Sequence, residues 1–369
     1  MGGPRRLAVR VDGNRHIGLG HFFRCLHLAT FLRGRSWEVV FFVLESSRGE
    51  VVSTFLEEAG IPAVTVSRPG RPWEPDDDAF LRRVSEGRFD CALTDLLQCD
   101  SGDDDLLHNG EFIPADVEGL LARLGDAGTP VMALSDRFDP VRLRADAVVN
   151  TCPAQRPEWY AGSAVRHLLG PEYYFLPPSF REPAVRPRVF APERPLVVVF
   201  CGGNDHRGFT PILLEGLEPY RERLRVEVVL GAATPDGDRV AAGYEARGYP
   251  CRFKVRDMAP VLAGADFVVS ASGNTLFDLA ALGTPSGAVS TRERQRVTAR
   301  FFEQAGASLD FGLDAAEILP RLDAAVRGVV FDRSQLEAMS RAGRAVVDGK
   351  GLERVSGELE RLADGGGRR

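Results

Sequence analysis

The sequence has no apolar run that approaches the length of a membrane span; its longest apolar stretches have the length of buried strands. It has no basic stripe either. Its 46 Lys and Arg are scattered among 52 Asp and Glu, for a formal charge of −6, which argues against nucleic acid or an anionic membrane surface as the main partner. A small anionic substrate stays compatible, because a local pocket needs no basic protein around it. The six cysteines (Cys25, Cys91, Cys99, Cys152, Cys201, Cys251) form no CxxC and no Cys/His ligand spacing, so buried reduced thiols are expected. Met1 to Arg6 enters a strand pattern directly, leaving no room for a signal peptide, and a cytoplasmic location is expected. No strand pattern ends in an Asp-x-Asp pair. The adjacent carboxylates Asp103–Asp105 are expected to form a solvated loop and not a metal site.

What is present is an ordinary globular composition, 44% apolar and 27% charged, in 369 residues. That exceeds the size at which one core keeps growing, so two domains are expected. Short β-branched runs alternate with helical patterns from end to end, as in doubly wound parallel α/β sheets. Strand patterns fall at Leu7–Asp12, Glu38–Leu44, Ala63–Val66, Cys91–Asp95, Val131–Ser135 and Ala147–Thr151 in the first half. In the second half they fall at Leu196–Cys201, Val226–Leu230, Arg252–Val255, Phe267–Ser270 and Gly287–Ser290. Helical patterns include His21–Arg33, Val51–Ala59, Thr275–Leu282 and Arg296–Ala305. The proline-rich stretch 181–195 lacks apolar periodicity and reads as a stiff extended linker between domains at 1–180 and 196–363. Gln98–Pro114 is a second irregular stretch, and the glycine-rich tail 364–369 is expected to be disordered.

The most informative segment runs from Val11 to Leu26, where a strand ends at Asp12, a glycine-containing loop follows and a helix starts near His21. In an open α/β sheet this strand edge is where ligands bind. Gly18 and Gly20 supply two glycines of a dinucleotide fingerprint, but Phe23 stands where the third should be and the loop is too long. His21 is the candidate general base. The helix dipole at its position disfavours the imidazolium, so a neutral ring able to take a proton is expected. Alone, such a histidine is more often a packing residue; the glycines before it clear the space its ring would face. Arg24 can hold a phosphate or carboxylate or be simply solvated, and His16, His27 and His167 read as structural or surface residues.

Three segments of the second half add to this. Gly202-Gly203-Asn204-Asp205 follows an apolar strand, and bare backbone there can approach a diphosphate. Arg256-Asp257-Met258 lies between a strand and a short helix, where backbone groups can read a base edge. Ser272-Gly273-Asn274-Thr275 turns a strand into a helix and offers donors for phosphate oxygens. One turn on, Asp278 can accept from a ribose diol or stabilise the helix N-terminus.

Ile17-Gly-Leu-Gly-His21-x-x-Arg24-Cys25-Leu26-x-Leu28-Ala29 resembles the opening signature of the UDP-sugar hydrolases of pseudaminic acid biosynthesis and their spore-coat polysaccharide relatives (the PseG/SpsG-like family). Leu168-Leu-Gly-Pro171-x-Tyr173, Gly202-Gly203-x-Asp205 and Thr275-Leu-x-x-Leu-Ala-Ala-Leu-Gly283-x-Pro285 continue the resemblance, which runs from about Leu7 to Gly306. Through Asp257-Met258 and the Ser272–Asp278 turn, the second half is also similar to the MurG-type transferases that form lipid II. The resemblance implies the GT-B architecture, two Rossmann-like domains with a nucleotide-sugar in the cleft between them. It further implies His21 as the base for a water that displaces UDP, Met258 at the uracil, Asp278 at the ribose, and neither metal nor cofactor. Two positions depart from the family: Arg294 stands where Asn is common in Glu293-Arg294-Gln295, and the 98–114 loop is longer.

The expected activity is hydrolysis of a nucleotide-activated amino- or deoxy-sugar. Asp12, Gly18, Gly20, Arg24, Asp205 and Gln295 are the candidate substrate contacts beside His21. Gly202, Gly203, Met258, Ser272, Gly273, Asn274, Thr275 and Asp278 are the candidate nucleotide contacts. A glycosyltransferase of the same fold and a non-catalytic nucleotide-sugar binder are the alternatives. The sugar, the base and the oligomeric state stay open.

Overall fold

The computed structural model describes residues 3–14, 19–96, 116–160, 164–190 and 193–365. Gly18, His16, Cys99, the Asp103–Asp105 run, the 98–114 loop and the last four residues of the tail lie outside the described residues. The chain divides into two units, Met1–Phe175 with Lys350–Arg369, and Leu176–Gly349.

The first unit is built on seven parallel strands in the order β3-β2-β1-β6-β7-β8-β9. These are β1 (Arg5–Val11), β2 (Trp37–Val43), β3 (Ala63–Thr65), β6 (Cys91–Asp95), β7 (Val131–Leu134), β8 (Ala145–Asn150) and β9 (Ala164–Leu169). A short hairpin, β4 (Ser67–Arg68) and β5 (Arg71–Pro75), lies outside this sheet. Side-chain alternation sends Leu7, Val9 and Val11 into one core, with Phe22 and Leu28 of helix α1 (Gly20–Arg33). Ala8 and Phe42 face the other, with Phe80, Leu120 and Leu121. The acidic run Asp76–Asp78 opens the Asp77–Glu86 helix, and Asp76 caps it by accepting from the Ala79 N–H at 2.8 Å.

The second unit has six parallel strands in the order β12-β11-β10-β13-β14-β15. They are β10 (Leu196–Phe200), β11 (Arg225–Leu230), β12 (Cys251–Phe253), β13 (Phe267–Ala271), β14 (Ser286–Val289) and β15 (Ser308–Gly312). Val197, Val199, Val228, Phe267 and Val269 centre its core.

The expected domain limits need correction at three places, the first being that residues 176–180, expected in the first domain, belong to the second unit. The 181–195 stretch is not an extended linker: it contains the Arg181–Val185 helix. Arg188 also donates to the carbonyls of Ala263 and Ala265, and burial pulls its pKa down to about 10. The Gly351–Ala363 helix, expected in the second domain, belongs to the first unit. Its apolar stripe, Leu352, Val355, Leu359 and Leu362, is fully buried in that unit's core. The five described cysteines are free, and no described helix is long and apolar enough to cross a membrane.

Candidate functional site

Both sheets change the direction of their strand order at one place, beside β1 in the first unit and beside β10 in the second. At such a point neighbouring loops diverge and leave a crevice at the carboxyl ends of the strands.

In the first unit, α1 leaves β1 with no side-chain cap, and His21 and Arg24 share one face of its first turn. β6 lies beside β1, with Val11 opposite Asp95. That pairing carries the Asp95 carboxylate to the helix. Asp95 is 1% exposed, and its Oδ1 lies 2.7 Å from His21 Nδ1. Arg24 donates to both oxygens of Asp95 and, through Nη1, to Asp136 Oδ1 at 2.6 Å. Asp136 follows β7, the next strand over, and its Oδ2 is 3.9 Å from His21 Nε2.

The tautomer follows from these contacts. Arg24 and His21 hold the Asp95 carboxyl well below the usual range even though burial pushes the other way, so Asp95 is ionised and can only accept. His21 Nδ1 therefore carries the hydrogen, and Arg24 Nη2, 3.0 Å from it, directs its own hydrogens to Asp95. In the neutral ring Nε2 is left with its lone pair, the arrangement of a general base oriented by a buried carboxylate.

The electrostatics differ from the expectation of a ring kept neutral by the helix dipole. Burial lowers the His21 pKa, but Asp95, helped by Asp136 and opposed by Arg24, more than offsets it, so the pKa is raised. Two carboxylates in direct reach outweigh the partial charge of a helix end.

Other expected contacts of this unit have structural work. Asp12 is 5% exposed; it accepts from Arg10 Nη1 at 2.7 Å, from the Leu44 N–H at 2.8 Å and from Ser47 Oγ. It ties the strand end together, and both its oxygens are engaged. Gly20 is the exposed first residue of α1. Asp95 and Asp136 went unassigned in the sequence because their roles depend on three neighbouring strands ending together. The readable trace of Asp95 is an acidic residue closing the wholly apolar start of a buried strand.

In the second unit, β10 and β13 are neighbours, so the turns at Gly202-Gly203 and Ser272–Asn274 leave the same sheet edge side by side. Gly202 has φ +84°, which an L side chain rarely adopts, and a Cβ at Gly202 or Gly203 would meet nothing within 4 Å. Gly231, after β11, is packed on this turn: a Cβ there would run into the carbonyl oxygens of Gly202 and Gly203. The Gly203 carbonyl also accepts from the Ala233 N–H at 3.0 Å. Ser272 is buried with its hydroxyl 2.7 Å from that of Ser290, and Gly273 precedes the Asn274–Leu282 helix in extended conformation. Asn274 is exposed, while Thr275 and Asp278 are half-buried on the first two turns. Met258, half-buried, precedes the Ala259–Gly264 helix, whose first N–H is held by Asp257 at 3.0 Å.

Asp205 and Gln295 are engaged internally. Asp205 accepts from the Phe209 and Thr210 N–H groups at 2.9 and 2.7 Å, capping the Phe209–Leu217 helix. Gln295 Oε1 accepts from the N–H and hydroxyl of Thr291 at 3.1 and 2.6 Å, fixing the start of the Glu293–Gln304 helix. Each positions a loop at the strand edge and does not present a side-chain oxygen outward.

No protein-family model matches the chain. It is 25% identical over 367 residues to the spore coat polysaccharide biosynthesis protein SpsG of Bacillus subtilis, covering 96% of this chain and 98% of the relative. MurG of Acinetobacter baumannii superposes with a TM-score of 0.65 at 14% identity, over 97% of this chain and all of that one. Anabaena HepE, solved in complex with UDP-glucose, superposes with a TM-score of 0.58 at 13% identity, over 96% and 99% of the two chains. With two parallel-sheet Rossmann-like units and these neighbours, the fold is GT-B, and the chain is a homologue of SpsG along nearly its whole length.

Proposed function

We propose that this GT-B, nucleotide-sugar-using enzyme hydrolyses a UDP-linked amino- or deoxy-sugar, with His21 as general base. The observation that carries the proposal is the His21–Asp95 pair at 2.7 Å, whose geometry gives Nδ1 the hydrogen and leaves Nε2 to accept when the ring is neutral. In the proposed step a water oxygen bonds to the anomeric carbon while one of its protons passes to His21 Nε2. The bond from that carbon to the diphosphate oxygen breaks, and the nucleotide diphosphate leaves with the electron pair. Backbone donors at Gly202-Gly203 and Asn274-Thr275 would act on charge that grows on the leaving diphosphate, without a metal. Asp278 is assigned to the ribose diol and Met258 to the base. HepE was solved with UDP-glucose, which supports UDP as the carrier.

Transfer to an acceptor hydroxyl is the second reading, and the likeness to MurG is as compatible with it. The deciding experiment incubates the protein with a panel of UDP-sugars, without acceptor, before and after treatment with EDTA. Free sugar and UDP in equal amounts, undiminished by EDTA, is the expected result. UDP release only with an added acceptor would replace hydrolase by transferase. Loss on chelation with recovery on added magnesium or manganese would overturn the account of the leaving group.

A further inference from the structure

We propose that Asp136 selects water as the attacking group, by holding the second O–H of the water that His21 deprotonates; this rests on the hydrolytic reading. Water carries two O–H bonds and an alcohol one. A base that takes the first proton leaves the second O–H of water needing an acceptor, whereas an alcohol has carbon in that place. An ionised carboxylate, which accepts and cannot donate, suits the first and disfavours the second.

The geometry around Nε2 provides such a group. Asp136 Oδ2 lies 3.9 Å from His21 Nε2. That is too long for a direct hydrogen bond, and it lets one oxygen sit within about 2.8 Å of both atoms. The carboxylate does not swing freely, because Arg24 Nη1 holds Oδ1 at 2.6 Å and Arg24 is itself fixed by Asp95. The two carboxylates also differ in exposure: the side chain of Asp95 is 0% exposed and that of Asp136 38%. Asp95 can therefore only orient the ring, while Asp136 is open to an incoming molecule. In the proposed step the proton held by Asp136 stays on the oxygen and becomes the hydrogen of the new anomeric hydroxyl. The other proton goes to Nε2, and the diphosphate departs with the bonding pair. Asp136 is thus a positioning residue for the nucleophile and exchanges no proton.

The test compares wild type, Asp136→Ala and the near-isosteric Asp136→Asn with a hydrolysed UDP-sugar, in water and in water containing methanol. Free sugar and methyl glycoside are counted per nucleotide released. Loss of Asp136 is expected to lower kcat for hydrolysis by about 10–100-fold with KM little changed. Methanolysis should fall less, so that the ratio of methyl glycoside to free sugar rises about tenfold or more. Should the alanine variant not fold, as judged by its melting curve, the asparagine variant carries the measurement. A fall in both products with an unchanged ratio would overturn the inference and leave the hydrolase standing. Wild-type protein that releases nucleotide only to a sugar acceptor would remove the hydrolytic reading, and the inference with it.

Discussion

Two histidines on one helix are tuned in opposite directions. His21 is raised because Asp95 overcomes its burial; His27, half-buried and with no carboxylate partner among the described residues, is pulled down to about 4 by desolvation. On the proposed function, the consequence for His21 is catalytic. The working base is the neutral ring, so kcat/KM should rise with pH through a value above the ordinary 6.5. His21→Ala should lower kcat by roughly 10²–10⁴-fold with little change in nucleotide affinity. Asp95→Asn should approach the same loss, by releasing the tautomer, and should move the acid limb downward. A wild-type rate for either variant in nucleotide-release assays would remove the pair from the mechanism. For His27 the consequence is stability. Its folded pKa lies below its unfolded one, so as pH falls from 6.5 toward 4 the unfolded chain binds a proton the folded one refuses, and stability drops. His27→Gln should flatten that part of a melting-temperature profile; an unchanged slope would mean that other groups set it. Of this residue-scale detail the sequence showed His21 and Arg24, because their spacing on a helix after a glycine loop is local. Asp95 and Asp136 were hidden because their meaning depends on neighbouring strand ends: Asp95 lies 74 positions from His21 in sequence, and Asp136 lies 112 from Arg24.

At the scale of elements, the turn after β10 separates a glycine needed for folding from one left bare. Gly231 backs onto the carbonyls of Gly202 and Gly203, so Gly231→Ala must displace backbone and should destabilise by about 1–3 kcal/mol. Gly203→Ala meets no neighbouring atom and should melt like the wild type. If this turn approaches a diphosphate, however, the added methyl lies in the ligand's way, and UDP affinity should fall about tenfold or more. Calorimetry beside melting curves checks both halves; unchanged UDP binding by Gly203→Ala would take the diphosphate away from this turn. The central strands were legible because strands covered on both faces read as continuous apolar runs. The edge strands β9 and β15 were not: Arg166 and His167 interrupt the first, Asp310 the second. Asp310 is at home there because Arg296 donates to it at 2.8 Å, a pairing no local pattern reveals.

For the whole molecule, the two units are unequal in how they are made. Leu176–Gly349 is one unbroken segment, whereas the first unit needs both ends of the chain. The segment expressed alone should fold cooperatively and, on the proposed assignment, bind UDP. A chain stopped at Gly349 should lose the first unit's cooperative melting, since Leu352, Val355, Leu359 and Leu362 would leave its core. Each is a side chain whose burial is worth about 1.5–3 kcal/mol. Two unfolding steps in the full chain and one in the truncated chain are the expected calorimetric result; two in both would show that the helix is dispensable. Two doubly wound halves were legible from strand–helix alternation and the GT-B fold from the family resemblance, but the last helix was not assigned to the first unit, because amphipathicity says that a face is buried and not against what.

That returning helix also orders events in time. A ribosome adding about 5–20 residues per second needs on the order of ten seconds or more to cross the second unit before it reaches the helix. Throughout that interval α1, β6 and β8 wait for a helix that has not been made. The unit encoded between the two parts of the first is then free to fold before it, and the unit carrying His21 closes only once the Gly351–Ala363 helix has been made. A nascent chain that stalls anywhere before Lys350 leaves the first unit's core without Leu352, Val355, Leu359 and Leu362, an open apolar face of the kind that favours aggregation.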